Sequence, residues 1–128
     1  TDGSFLPWRD FTVIPIPLHA RRQRERGFNQ AEVLARVFAD NFKTQGFACV
    51  LNNNDLGRTR YTMQQARLSK EERHHNLLNA FVWQGQIVPE RVVLVDDVFT
   101  TGATMQEAAK VLKQAGVKEV WGLALARD

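Results

Sequence analysis

Val92-Val93-Leu94-Val95-Asp96-Asp97-Val98-Phe99-Thr100-Thr101-Gly102-Ala103-Thr104 decides how the rest of the chain is read. Four consecutive Val or Leu residues mark a strand buried on both faces of a parallel sheet. Two aspartates follow, and Asp96 to Gly102 reads as a turn. A helix then carries Met105, Ala108, Ala109, Leu112 and Ala115 on one stripe and stops at Gly116. Val117 to Ala126 reads as the next strand. Strand, helix and strand at this spacing make a βαβ unit with a right-handed crossover. The fold class is therefore α/β, with a mostly parallel sheet flanked by helices.

The upstream half fits the same plan. Thr12-Val13-Ile14-Pro15-Ile16-Pro17 reads as a strand whose prolines force an extended exit. An Arg-rich loop follows. From Asn29, a plausible N-cap, a helical stripe of Ala31, Leu34, Ala35, Phe38 and Phe42 runs to just before Gly46. Phe47 to Leu51 reads as a second strand, and Asn52-Asn53-Asn54-Asp55 breaks it. Residues 56–68 show neither period and carry three arginines, so they read as a long mobile loop. Ser69 with Glu72 is a capping-box pattern that opens a helix to about Leu78. Ala80 to Trp83 reads as an edge or hairpin strand.

The whole is 128 residues, 44% hydrophobic and 24% charged, enough to bury one core without staples. We expect a single domain over residues 1–128, with 1–11 as an N-terminal remnant or linker. One cysteine, Cys49, excludes an intramolecular disulfide and an all-cysteine metal site, and suits a small buried hydrophobe. No apolar run nears the roughly 20 residues of a membrane span, and no secretory signal opens the sequence. The expected compartment is the cytoplasm. The first residue is Thr, which suggests a fragment or a processed product.

Charge is placed unevenly. Net charge is +3, yet residues 19–26 and 58–73 each carry a local +3, leaving the remainder at −3. Such placement suits an anionic ligand or partner, although a solvated face can look the same. His74 and His75 lack a third ligand at suitable spacing, so no metal site is expected from them. Trp8, Trp83 and Trp121 read as packing residues.

In an open parallel sheet, ligands bind beyond the carboxyl ends of the strands. Asp96 and Asp97 stand there. The helix behind the Thr-Thr-Gly-Ala-Thr turn offers free N–H groups and the positive end of its dipole to an anion. Gly102 lets the backbone approach closely, and Thr101 and Thr104 add hydroxyl donors. Carboxylates for sugar hydroxyls beside a cradle for phosphate suit a phosphorylated sugar. A P-loop fits less well, because its Gly-Lys-Thr/Ser is missing.

Val92 to Thr104 closely resembles the binding motif for phosphoribosyl pyrophosphate (PRPP) in type I phosphoribosyltransferases. The resemblance narrows upstream. Val13-Ile-Pro-Ile-Pro-Leu-His19, the run Arg21 to Gln30, and Arg58, Arg60, Thr62, Gln65, Leu68, Arg73, Asn76 and Ala80-Phe81 look like the ComF/GntX branch. Together these cover residues 12–128.

That resemblance implies the type I phosphoribosyltransferase fold and displacement of pyrophosphate from PRPP at ribose C1′. It implies Asp96 and Asp97 as catalytic carboxylates on the ribose hydroxyls. It assigns Phe99, Thr100, Thr101, Gly102, Ala103 and Thr104 to the 5′-phosphate. Pyrophosphate falls to Leu18, His19, Arg21, Arg24 and Arg26, with Arg58, Arg60, Thr62 and Gln65 on a lid. For His19, a packing role competes with phosphate contact. Mg²⁺ is expected as cofactor, bound mainly through PRPP, with no protein metal cage.

Thr100 departs from the hypoxanthine-type enzymes, which carry an acid near that point, and this argues against purine salvage. The acceptor stays unknown. The branch is associated with competence and DNA use, so DNA-uptake machinery is a candidate partner and a non-catalytic PRPP- or DNA-binding factor the alternative. A homodimer is compatible with the resemblance. Members usually carry an N-terminal zinc module, whereas only eleven residues, none of them Cys, precede Thr12 here. On that expectation the chain is the core without its module.

Overall fold

A computed structural model describes residues 6–18, 24, 27–58, 80–99 and 102–127. Its elements are β1 (Asp10–Pro15), α1 (Gln30–Thr44), β2 (Ala48–Leu51), β3 (Leu56–Arg58), β4 (Phe81–Trp83), β5 (Arg91–Phe99), α2 (Ala103–Ala115) and β6 (Glu119–Arg127). Four strands form a parallel sheet in the order β2-β1-β5-β6, while β3 and β4 pair antiparallel.

Alternation along the strands sorts the core into two layers. Phe11, Val13, Val93 and Val95 face α1, where they join Ala35, Ala39 and Phe42. Ile14, Val92 and Leu94 face the other way, toward Ala108 and Leu112 of α2 and Leu56 and Phe81 of the ribbon. All four residues of Val92–Val95 are fully buried, as expected of a central strand covered on both sides.

The helix limits follow from local chemistry. Asn29 caps α1, its side chain accepting from the Ala31 N–H. At the far end Phe47 N–H bonds back to Phe42 O at 3.0 Å, and the two rings meet edge-on with centroids 5.5 Å apart. α2 ends similarly: Gly116 has φ 120°, its N–H donates to Lys113 O, and Val117 N–H donates to Leu112 O. Both ends are Schellman motifs, which occupy carbonyls that the last turn leaves open.

Three expectations need correction. The strand at Val92 does not stop at Val95 but runs to Phe99, so Asp96 and Asp97 are strand residues rather than part of a turn. β6 supplies the reason: it matches β5 residue for residue as far as Phe99↔Arg127. Residues 56–58 are not loop either. Leu56 is buried in the core, and Leu56, Gly57 and Arg58 pair with Trp83, Val82 and Phe81. Lastly, β1 begins at Asp10, opposite Ala48, and ends at Pro15 instead of Pro17. Of the lid expected over 56–68, residues 59–68 lie outside the described residues, as does the capped helix after it.

Among the described residues no helix is long and apolar enough to cross a membrane. Cys49 is buried, with its Sγ 3.3 Å from Ala39 O, and burial pushes its thiol pKa up. Trp8 is buried, while Trp121 packs edge-on against it with centroids 5.7 Å apart.

Candidate functional site

The sheet has a step at its carboxyl end. β1 pairs with β5 only to Pro15↔Val95, after which Ile16 N–H gives one more bond to Val95 O at 2.8 Å. β5 goes on through Asp96, Asp97, Val98 and Phe99 with β6 alone beside it. The aspartates therefore stand past the end of β1, above the strand edge where open α/β sheets bind ligands.

Their environment is half-buried and acidic. Asp96 Oδ1 accepts from the Asp97 N–H at 2.8 Å. Burial, reinforced by the neighbouring Asp97 carboxyl, pushes Asp96 up to about 6, while the Arg58 guanidinium pulls it down. Strand alternation sets Asp96 on the Leu94 side of the sheet, which is the side covered by the β3–β4 ribbon. Arg58 comes from that ribbon, its guanidinium carbon 5.2 Å from the centre of the Phe81 ring. So one residue expected on a lid sits on a strand, within electrostatic reach of the carboxylate pair. Sequence reasoning missed this because a three-residue strand leaves no readable period.

The turn after β5 leads into α2. Gly102 is buried and has φ 81°, a left-handed conformation that disfavours any side chain. Gly102, at the N-cap position, makes no side-chain cap bond, and the first turn of α2 contains no acidic residue. A helix start without a repelling charge in its first turn suits an anion. Ala103 and Thr104 open the helix, with Thr104 half-buried.

Of the other expected site residues, Leu18 is half-buried just beyond β1 and Arg24 is exposed. Phe99 closes β5, paired with Arg127. His19, Arg21, Arg26, Arg60, Thr62, Gln65, Thr100 and Thr101 lie outside the described residues. The structure thus brings Asp96, Asp97, Gly102, Ala103, Thr104 and Arg58 to one end of the sheet. A cavity of about 440 Å³ between α1 and β2, lined by Lys43, Cys49 and Val50, belongs elsewhere, with β1 between it and the aspartates.

Paired carboxylates are hard oxygen donors, which suits Mg²⁺. Among the described residues no group of three or more His, Cys, Asp or Glu could hold a metal ion.

A model of the phosphoribosyl transferase domain matches residues 26–127. The chain belongs to the phosphoribosyltransferase family. Its parallel sheet with flanking helices is the α/β fold of the type I enzymes. Within the family it is similar to Competence protein F of Haemophilus influenzae, 41% identical over 119 residues, covering 89% of this chain and 50% of that protein. DNA utilization protein YhgH of Escherichia coli O157:H7 is 37% identical over 125 residues, 96% of this chain and 52% of that one. Competence protein ComFC of Streptococcus pneumoniae is 32% identical over 120 residues, 94% and 50%. These relatives place the phosphoribosyltransferase domain on the ComF branch. The chain spans about half the length of the curated relatives it matches.

Proposed function

We propose that the chain binds PRPP with Mg²⁺ and transfers its phosphoribosyl group to an acceptor, releasing pyrophosphate. The observation that carries this reading is the step in the sheet. β5 outruns β1 and holds two carboxylates just before the start of α2, whose first turn carries no acidic residue.

Asp96 and Asp97 accept from the ribose hydroxyls and, when ionised, stabilise positive charge growing at C1′. The amides of Gly102 to Thr104, with Thr100, Thr101 and the Phe99 position before them, hold the 5′-phosphate. Arginines of residues 21–26 and His19, following Leu18, receive pyrophosphate, with Arg60, Thr62 and Gln65 closing over it. Arg offers paired, always-charged donors to such an anion. Mg²⁺, carried by PRPP oxygens and water, neutralises pyrophosphate charge and makes it a better leaving group. The bond from C1′ to pyrophosphate oxygen breaks with its electron pair on the leaving group. The acceptor then bonds to C1′ and gives up its proton. Thr100 is a poor base, so that proton leaves by another route. The same proposal sets the reaction in the cytoplasm.

Pyrophosphate release from PRPP across a panel of nucleobases and amines tests the enzyme reading. Release with one acceptor, abolished by Asp96→Asn/Asp97→Asn, supports it. Binding of PRPP without release for any acceptor contradicts transfer.

The names of the relatives, a competence protein and a DNA utilization protein, favour a second reading, a PRPP- or nucleotide-binding factor in DNA uptake that retains the fold without turnover. PRPP binding without release for any acceptor would select it over the first, whereas salt-sensitive DNA binding with no affinity for PRPP would select a DNA-binding factor that keeps only the fold.

A further inference from the structure

We propose that Asn29 is a positioning residue that staples the two ends of the pyrophosphate-binding loop and fixes its entrance against the carboxylate strand. The inference rests on the reading of residues 18–26 given above, and deepens it.

Backbone accounting at the exit of β1 leads to Asn29. Pro15 and Pro17 have no N–H, so Ile16 is the one donor in that tripeptide. Its N–H is taken by Val95 O at 2.8 Å, directly before Asp96. Its carbonyl accepts from Asn29 Nδ2 at 3.2 Å, across thirteen residues of sequence. The same carboxamide accepts from the Ala31 N–H at 3.1 Å through Oδ1. Asn29 is 8% exposed, the one buried polar residue among those described.

One amide thus spans three elements. It holds the start of α1, the exit of β1 and, through Ile16, the last β1–β5 bond before the aspartates. Residues 17–28 leave and return at this clamp, with Arg21, Arg22, Arg24 and Arg26 between its ends. Asn is suited to the task, because it donates and accepts at once from one short, rigid group. Asp caps a helix equally well but cannot donate, and Ser caps it but is too short to reach Ile16.

The test uses Asn29→Ser and Asn29→Asp, with isothermal titration of Mg²⁺-pyrophosphate and, separately, ribose 5-phosphate. Both variants keep a capping oxygen, so α1 persists in circular dichroism; if one fails to fold, the other carries the test. Losing a buried hydrogen bond of ordinary strength at the loop should weaken pyrophosphate about tenfold. Ribose 5-phosphate, held by Asp96, Asp97 and the α2 turn, should stay within about twofold of wild type. A folded variant that binds pyrophosphate as wild type does, or loses both probes equally, overturns the proposal. Wild type that binds ribose 5-phosphate but not pyrophosphate overturns it and leaves the carboxylate site standing. Wild type that binds neither overturns the underlying reading as well.

Discussion

Asp96 holds its proton more tightly than an ordinary aspartate because burial and Asp97 both oppose a second charge. Its folded pKa of about 6 lies above the unfolded value, so between roughly pH 4 and 6 the unfolded chain loses this proton first. Stability from this group is full below that window and is lost as pH rises through it. Asp96→Asn should therefore raise the melting temperature at pH 7.5 and have little effect at pH 4; equal gains at both would contradict the assignment. Arg58 acts in the opposite sense. Arg58→Met should move the Asp96 titration, read by carboxyl ¹³C NMR, to higher pH, while Arg58→Lys should leave it close to wild type. Asp96 and Asp97 near the strand's carboxyl end and the helix start after Gly102 were legible in the sequence, since their pattern is local and contiguous. The cation beside them was not. Arg58 reaches Asp96 through a pairing of Leu56–Arg58 with Phe81–Trp83 that no spacing announces.

At the scale of elements, α1 and α2 were readable to within a few residues because an apolar stripe runs into a terminal glycine at each, and β1 and β2 because prolines and the Asn52–Asp55 breaker follow them. β5 was under-read by five residues, Arg91 and Asp96 to Phe99. Asp is depleted in strands, so Asp96-Asp97 looked like a stop, and only β6 shows why the ladder continues. β6 also seats the cradle. A Cβ on Gly122 would overlap the Met105 sulfur, and Met105 lies in the first turn of α2. Gly122→Val should therefore lower the melting temperature and weaken ribose 5-phosphate more than pyrophosphate, with Met105→Ala restoring part of both. Unchanged phosphate affinity in a destabilised variant would separate this contact from the site. On the opposite face, Phe42 is fully buried against Phe11 and Phe47. Phe42→Ala should cost about 3–5 kcal/mol in denaturant unfolding, and a loss below 1 kcal/mol would show the cluster to be poorly packed.

Across the whole molecule, among the described residues, α1 and α2 cover opposite faces of one sheet. Two basic stretches come after strands in the sequence: residues 19–26 follow β1, and residues 58–73 begin with the last residue of β3. The charge pattern was visible at once in the sequence. Its target was not, because composition shows that cations are gathered but not which anion they face. The central claim is that the Asp96–Thr104 segment is a working PRPP site. Titration of wild type and of Asp96→Asn/Asp97→Asn with PRPP and Mg²⁺ in a calorimeter tests it most directly. Wild type should bind, and the double variant should lose about a hundredfold or more, as two charge-assisted hydrogen bonds are removed. Equal affinity in the two proteins, or no binding by wild type, would contradict it.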